Sequence, residues 1–229
     1  MLAGEDDAGK CADRPETATD RERHDIYDEE ARAYGWAGPA VVFGLAFPYV
    51  SPGETILDIG IGTGLGSERF RKAGLRVAGM DLSDGMLDAC RKKGIADRLI
   101  RHDLTKTPYP FPDASFDHAV STGVFHFFRS LEPVIRETGR ILRDGGIFVF
   151  STADRSDGED AEVVVGPEYS GTGRAETMYR HSPTDVRGWL KVGGFTVIDS
   201  VEFTVWMDRD RSERLPARAY LAQKTLRKQ

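Results

Sequence analysis

Between Ile56 and Gly64 the chain reads ILDIGIGTG, a carboxylate inside an apolar run followed by glycines at 60, 62 and 64. Ile56, Leu57 and Ile59 have the character of a buried strand, so Asp58 is costly there unless hydrogen bonds receive it. Its reading is structural and binding at once. Glycine tolerates positive φ and lets a ligand or another backbone come close, so the turn after this strand is either steric punctuation or the floor of a site. Two more acids fall at the ends of later apolar runs, Asp81 in GMDLS and Asp103 in RHDL. A carboxylate about 20 residues beyond a glycine turn is well placed to take both hydroxyls of an adenosine ribose. Taken alone, Asp81 could be a helix-capping partner of Ser83, and Asp103 an ordinary loop acid. His126, in GVFHFF after the fourth run, is the candidate catalytic residue, although a histidine among aromatics is often a packing residue.

The glycine spacing excludes two common phosphate sites. The dinucleotide pattern G-x-G-x-x-G asks for glycine at 65, which is leucine here, and Gly64 is followed by LGSE, without the lysine of a nucleoside triphosphate loop. Two cysteines, Cys11 and Cys90, give no material for a disulfide framework or a cysteine metal site; no metal is expected, and Cys90 reads as helix packing. A formal net charge of −6 argues against a broad grip on nucleic acid or an anionic membrane. The acidic start MLAGEDDAGK and the lack of any apolar run near the ~18 residues of a membrane span predict a soluble, cytoplasmic protein.

These residues need a frame that brings strand ends together. Apolar strand-like segments alternate with helix-period segments from Gly53 onward: TILDI, RVAGM, RLIRH, DHAVS and GIFVFS, separated by SERFRKAG, DGMLDACRKKG and a helix over Ser130–Arg143. Such alternation predicts a doubly wound α/β fold with a mostly parallel sheet and right-handed crossovers. Its ligands sit beyond the carboxyl ends of the strands. Ser182 as cap and Pro183 at the first position predict another helix, followed by the strands FTVIDSVEF and ARAYLAQ. Residues 1–23 read as a disordered polar leader, 24–229 as one domain with an N-terminal lid and helix over 24–50, and 153–181 as an insertion after the fifth strand.

The ordered set ILDIGIGTG, VAGMDLSDGML, HDLTKTPYPFPDASFDHAVSTGVFHF and RILRDGGIFVFS resembles the class I S-adenosylmethionine-dependent methyltransferases, in particular the small-molecule, methyltransferase-like group. The resemblance spans about Tyr27 to Phe203. It implies a seven-stranded sheet with an antiparallel C-terminal strand, S-adenosylmethionine as cofactor and S-adenosylhomocysteine as product. It also implies that Gly60, Ile61 and Gly62 lie against the methionine part, with Asp81 on the ribose and Leu82 and Met86 on the adenine. Asp103 and the Leu104 N–H would meet the adenine edge, and the Ser121 carbonyl the cofactor amino group. YDEEARAY is similar to the family's lid motif, with Tyr27 over the cofactor and Tyr34 toward the substrate. Ile61 replaces a smaller family residue and should point into the core.

The implied reaction is methyl transfer to an unidentified small molecule, with nucleic acid and membrane outside its partners. The sequence leaves the oligomeric state open. STGV after the fourth strand departs from the Asn/Asp-Pro-Pro-Tyr motif of many amino methyltransferases. The alternatives are a non-catalytic cofactor-binding regulatory subunit and a tRNA-modifying methyltransferase, whose mark would be a basic, aromatic-bearing face at the pocket. Tyr34, Trp36, Tyr169, Tyr179 and Trp206 are candidates for a substrate pocket or for local packing.

Overall fold

Continuous apolar runs make strands covered on both faces. In the computed structural model, which describes residues 18–166, 175–207 and 210–226, β1 (Thr55–Ile59), β4 (His118–Ser121) and β5 (Ile147–Ala153) are such strands, buried almost throughout. With β2 (Arg76–Asp81), β3 (Arg98–Arg101), β8 (Phe195–Trp206) and β9 (Arg214–Lys224) they form a seven-stranded sheet in the order β3-β2-β1-β4-β5-β9-β8. The first five strands of that order pair in parallel, and β9 runs antiparallel to both neighbours. Strand order reverses between β1 and β4, which opens the crevice where ligands bind in such sheets.

Helices cover both faces. α2 (Gly38–Ala46), α3 (Glu68–Lys72) and α4 (Asp84–Lys93) pack in one apolar cluster with Val42, Phe70, Leu87 and Cys90. α5 (Glu132–Ile141) and α6 (Pro183–Val192) pack in the other with Val134, Ile135, Val186 and Leu190. α4 starts where Ser83 Oγ accepts from the Met86 N–H, and α6 where Ser182 Oγ accepts from the Asp185 N–H. α4 ends on Gly94 at φ 64°.

Two stretches differ from the reading of composition. α1 (Ala18–Ala33) takes in the end of the segment assigned to a disordered leader, because charged residues such as Glu and Arg remove apolar period without removing helix propensity. The excursion after β5 contains a separate antiparallel pair, β6 (Glu162–Val165) and β7 (Glu176–Tyr179). Among the described residues no helix is long and apolar enough to cross a membrane.

Candidate functional site

The parallel register aligns Ile59 with Met80, so the turn after β1 and the last residue of β2 stand side by side at the carboxyl edge. The Met80 carbonyl receives both the Gly60 N–H (2.8 Å) and the Ile61 N–H (3.0 Å). Asp81 then holds the next amide. Its Oδ2 accepts from the Gly62 N–H and its Oδ1 from the Ser83 N–H, each at 2.9 Å. One carboxylate thus ties the glycine turn to the start of α4.

The glycines have different duties. Gly60 has φ 77°, and a Cβ there would lie 2.4 Å from Val124 Cγ2, so this position serves backbone packing. Gly62, at φ 52°, would direct a Cβ into open space. That is the bare floor a ligand needs. Ile61 is buried, and its side chain lies where Gly79 has none, so it points into the core as its bulk requires.

Asp58 lies under this turn, 2 % exposed, between Gly79 and Val120. Its Oδ2 accepts from Ser67 Oγ at 2.7 Å, whereas Oδ1 has no hydrogen-bond partner among the described residues. Burial pushes its pKa up to about 7 against the lowering effect of Ser67, and Asp81 adds to the rise. An acid with an orphaned oxygen beneath a glycine floor suits a ligand bearing positive charge. Cys90, beside the same turn, is pushed up to about 11 by burial, which leaves an inert packing thiol.

The other predicted positions surround the same edge. Leu82 and Met86 are half-buried at the start of α4. Asp103 Oδ1 accepts from the Thr105 N–H and Oγ1; burial raises its pKa but these bonds outweigh it and keep the carboxyl ionised. Leu104 is buried, and its carbonyl accepts from Tyr109 Oη at 3.2 Å. Ser121 is fully buried and donates its hydroxyl to the Ile59 carbonyl at 2.7 Å, joining the ends of β4 and β1.

α1 crosses over the turn. Thr63 Oγ1 donates to Asp28 Oδ1 at 2.6 Å, and Lys93 Nζ donates to Asp28 Oδ2 at 2.5 Å. Tyr27 leaves 36 % of its surface exposed while its hydroxyl end is enclosed, and this desolvation, then the Asp28 and Asp81 carboxylates, raises the phenol pKa, which places the hydroxyl near Asp81. Neither Asp28 nor Thr63 stands out in the sequence, since Thr63 hides between glycines and Asp28 in a charged run.

At the end of β4, Phe125–Phe127 form a 3-10 turn that carries His126. Burial and the neighbouring His181 push the His126 pKa down to about 4. His181, 1 % exposed, joins three chain segments: Nε2–H donates to the Phe128 carbonyl at 2.7 Å, and Nδ1 accepts from Thr152 Oγ1 at 2.5 Å. Burial lowers its pKa to about 4 as well. Sequence reading had no access to this histidine's role, because Thr152 and Phe128 are 29 and 53 residues away. Among the aromatics, Trp36 lies against Gly123, and Tyr179 sits beneath the Arg129 guanidinium at 5.6 Å. Trp206 lies under Arg211 near the end of the β8–β9 hairpin, and Tyr169 falls outside the described residues. Among those residues no cluster of His, Cys, Asp and Glu side chains is arranged to hold a metal ion.

A sheet of this order, with a glycine turn, a β2-end acid and a β3-end acid on one edge, is the arrangement that the resemblance to class I S-adenosylmethionine-dependent methyltransferases implies. Residues 57–150 match the family model described as Methyltransferase domain. Those residues therefore carry a methyltransferase domain. The chain is 39 % identical over 101 residues to a malonyl-[acyl-carrier protein] O-methyltransferase of Serratia marcescens, covering 44 % of this chain and 39 % of the relative. It is 32 % identical over 100 residues to a demethylmenaquinone methyltransferase of Tropheryma whipplei, covering 44 % and 42 %. The chain therefore spans about two fifths of the length of these curated relatives. Its fold is similar to that of magnesium protoporphyrin IX methyltransferase from Synechocystis PCC 6803 with bound SAM, at TM-score 0.67 and 18 % identity over 98 % of this chain and all of that one.

Proposed function

We propose that the chain transfers a methyl group from S-adenosylmethionine to a small acceptor that arrives already ionised, with a carboxylate as the favoured class. The observation that carries this reading is the acceptor end of the sheet. Burial lowers the pKa of His126 and His181 to about 4, which makes each imidazole a weak base, and both ring nitrogens of His181 are occupied. A general base is needed only when the nucleophile is protonated on arrival. A carboxyl group, with an ordinary pKa near 4, is already an anion at neutral pH, whereas alcohols, amines and most phenols are not nucleophilic there without help. The similarity to a malonyl-[acyl-carrier protein] O-methyltransferase supports the same acceptor chemistry.

The cofactor supplies, when bound, an electrophilic methyl group on a positively charged sulfur. Asp81 would hold the ribose hydroxyls, Leu82 and Met86 the adenine face, and Asp103 with the Leu104 N–H its edge. Gly60, Ile61 and Gly62 would line the methionine part through backbone, with Asp58 beneath and the Ser121 carbonyl beside the amino group. Tyr27 on α1 would exclude water from above. Alignment and desolvation are then the main contributions, since the reaction brings together an anion and a cation. Incubation with methyl-labelled cofactor and a panel of malonyl thioesters, phenols and amines tests the reading. Label should enter an alkali-labile ester; label in phenols or amines with none in carboxylates would sink it.

A further inference from the structure

No Lys, Arg, Asp, Glu or His falls within residues 33–53, in a chain of which 30 % is charged. That stretch builds α2 and the 3-10 turn Phe47–Tyr49 behind it. α2 buries Pro39, Val42 and Ala46, the last two in the cluster it shares with β1 and β5, yet its outer face is apolar as well. Ala40, Phe43, Gly44 and Phe47 recur there at i, i+3, i+4 and i+7, the spacing of a helix that docks. Phe47 is 58 % exposed and Tyr49 42 %. Phe43 is half-buried, its ring 5.1 Å from Phe70 of α3 and 5.4 Å from Phe47. At the middle of the stripe a Cβ on Gly44 would meet nothing within 4 Å. A helix that is apolar on every side is ordinarily buried, so this one lacks a cover.

We propose that the cover is α2 of a second copy of this chain, paired about a two-fold axis close to Ala40 and Gly44. Such an axis sets each residue against itself or a close neighbour, so any charge on the face would meet its like. A face without charge is what self-pairing demands. A different protein could answer a charge with its opposite and would not require neutrality. A lipid surface fits less well, because a helix that lies in an interface keeps a face rich in Lys and Arg toward water, and α2 has none. Ala40 and Gly44 let two helix backbones approach closely, and the Phe43 and Phe47 rings then close the flanks. Size sets the strength. Phe47 and Tyr49 together offer the area of one whole aromatic side chain, about 200 Å², against about 800 Å² per partner in a standard interface. The rest of the stripe, with Pro48 and the exposed Val201 on the same side of the sheet, brings the contact toward the lower end of specific interfaces, which means a weak, concentration-dependent dimer. Phe47 and Tyr49 stand at the amino edge of the sheet, since residues 50–54 lead straight into β1, so their contact leaves the glycine turn at the other end of that strand open.

Sedimentation equilibrium of the full chain from about 2 to about 200 µM should show a reversible exchange between monomer and dimer. Gly44→Lys puts like charges at the axis; with open space around the position, a better helix former than glycine and a cation near the helix C-terminus, it should keep the wild-type Tm and S-adenosylhomocysteine affinity. It should raise the dimer dissociation constant at least about tenfold, and Phe47→Ser should do the same by removing apolar area. In a Cys11→Ser background, where Cys90 is buried, Gly44→Cys should cross-link to its copy under mild oxidation. A wild type that stays monomeric at about 200 µM, whether it binds phosphatidylcholine vesicles or remains free in solution, would overturn the proposal. So would a dimer that Gly44→Lys leaves unchanged, or one that gives no Gly44→Cys cross-link, because the contact then lies elsewhere on the molecule.

Discussion

Gly60 and Gly62 have the same left-handed backbone and opposite surroundings, which makes them separable by mutation. Gly60→Ala must push its methyl group into Val124, and a loss of about 1–3 kcal/mol of stability is expected from overpacking and φ strain together. Gly62→Ala meets only the cost of positive φ, about 1 kcal/mol, but its methyl occupies the floor of the site. Urea melts and titration with S-adenosylhomocysteine should show the first variant destabilised and the second folded but weak in binding. Asp58 makes a further prediction. With its pKa near 7, it is partly protonated at neutral pH, and a cationic ligand settling above it favours the carboxylate. Cofactor binding at about pH 6.5 should therefore release a proton, seen as a binding heat that changes with the ionisation enthalpy of the buffer, and Asp58→Asn should remove that dependence. A heat independent of buffer would exclude this role.

α1 is the element whose attachment the sequence leaves open. A segment with few apolar residues is expected to open readily, and Tyr27 is an exposed part of it. Its hold on the glycine turn is polar, through Asp28 to Thr63 and Lys93. Thr63→Val keeps the shape of the side chain and removes the donor, so α1 should exchange its amide hydrogens faster in the free protein. Bound S-adenosylhomocysteine should restore much of that protection if Tyr27 closes over it. Exchange on residues 26–36 that is indifferent to both the variant and the ligand would show that α1 is held by something else. The β6–β7 pair has a comparable anchor, since its return strand leads directly to His181.

At the scale of the whole molecule, the buried titratable groups set opposing pH dependences. His126 and His181 have native pKa values near 4, below their ordinary 6.5, so the unfolded chain takes up protons that the native state refuses as pH falls through this window. Their contribution to stability is lost toward acid. Asp58 has the opposite sign: its native pKa near 7 lies above 3.8, so its contribution is lost as pH rises through that range. Between about pH 5 and 6.5 two groups oppose one, and Tm should rise with pH. In His126→Gln/His181→Gln the Asp58 effect remains, and the slope should flatten or reverse. A variant that keeps the wild-type slope would show that other groups govern acid stability.

What the sequence determined by itself was everything repeated along the chain. Apolar runs such as TILDI and GIFVFS, separated by capped helical segments, require a parallel α/β sheet, because such strands must be covered on both faces. Glycines at 60 and 62 and acids at strand ends were also visible locally, so most of the residues that the sheet gathers at its carboxyl edge could be read before any fold was known. The start of α1 and the β6–β7 pair were less legible, since the charged stretch before the one and the glycine-rich stretch around the other carry no apolar period. Tertiary structure alone decided the contacts between distant segments. It brought Asp28 onto Thr63, His181 between Thr152 and Phe128, and Trp36 against Gly123, and it distinguished the packing role of Gly60 from the open floor at Gly62. Local pattern reports which face of an element is buried; which side chain of another element meets that face is fixed only when the sheet order closes the distance between them.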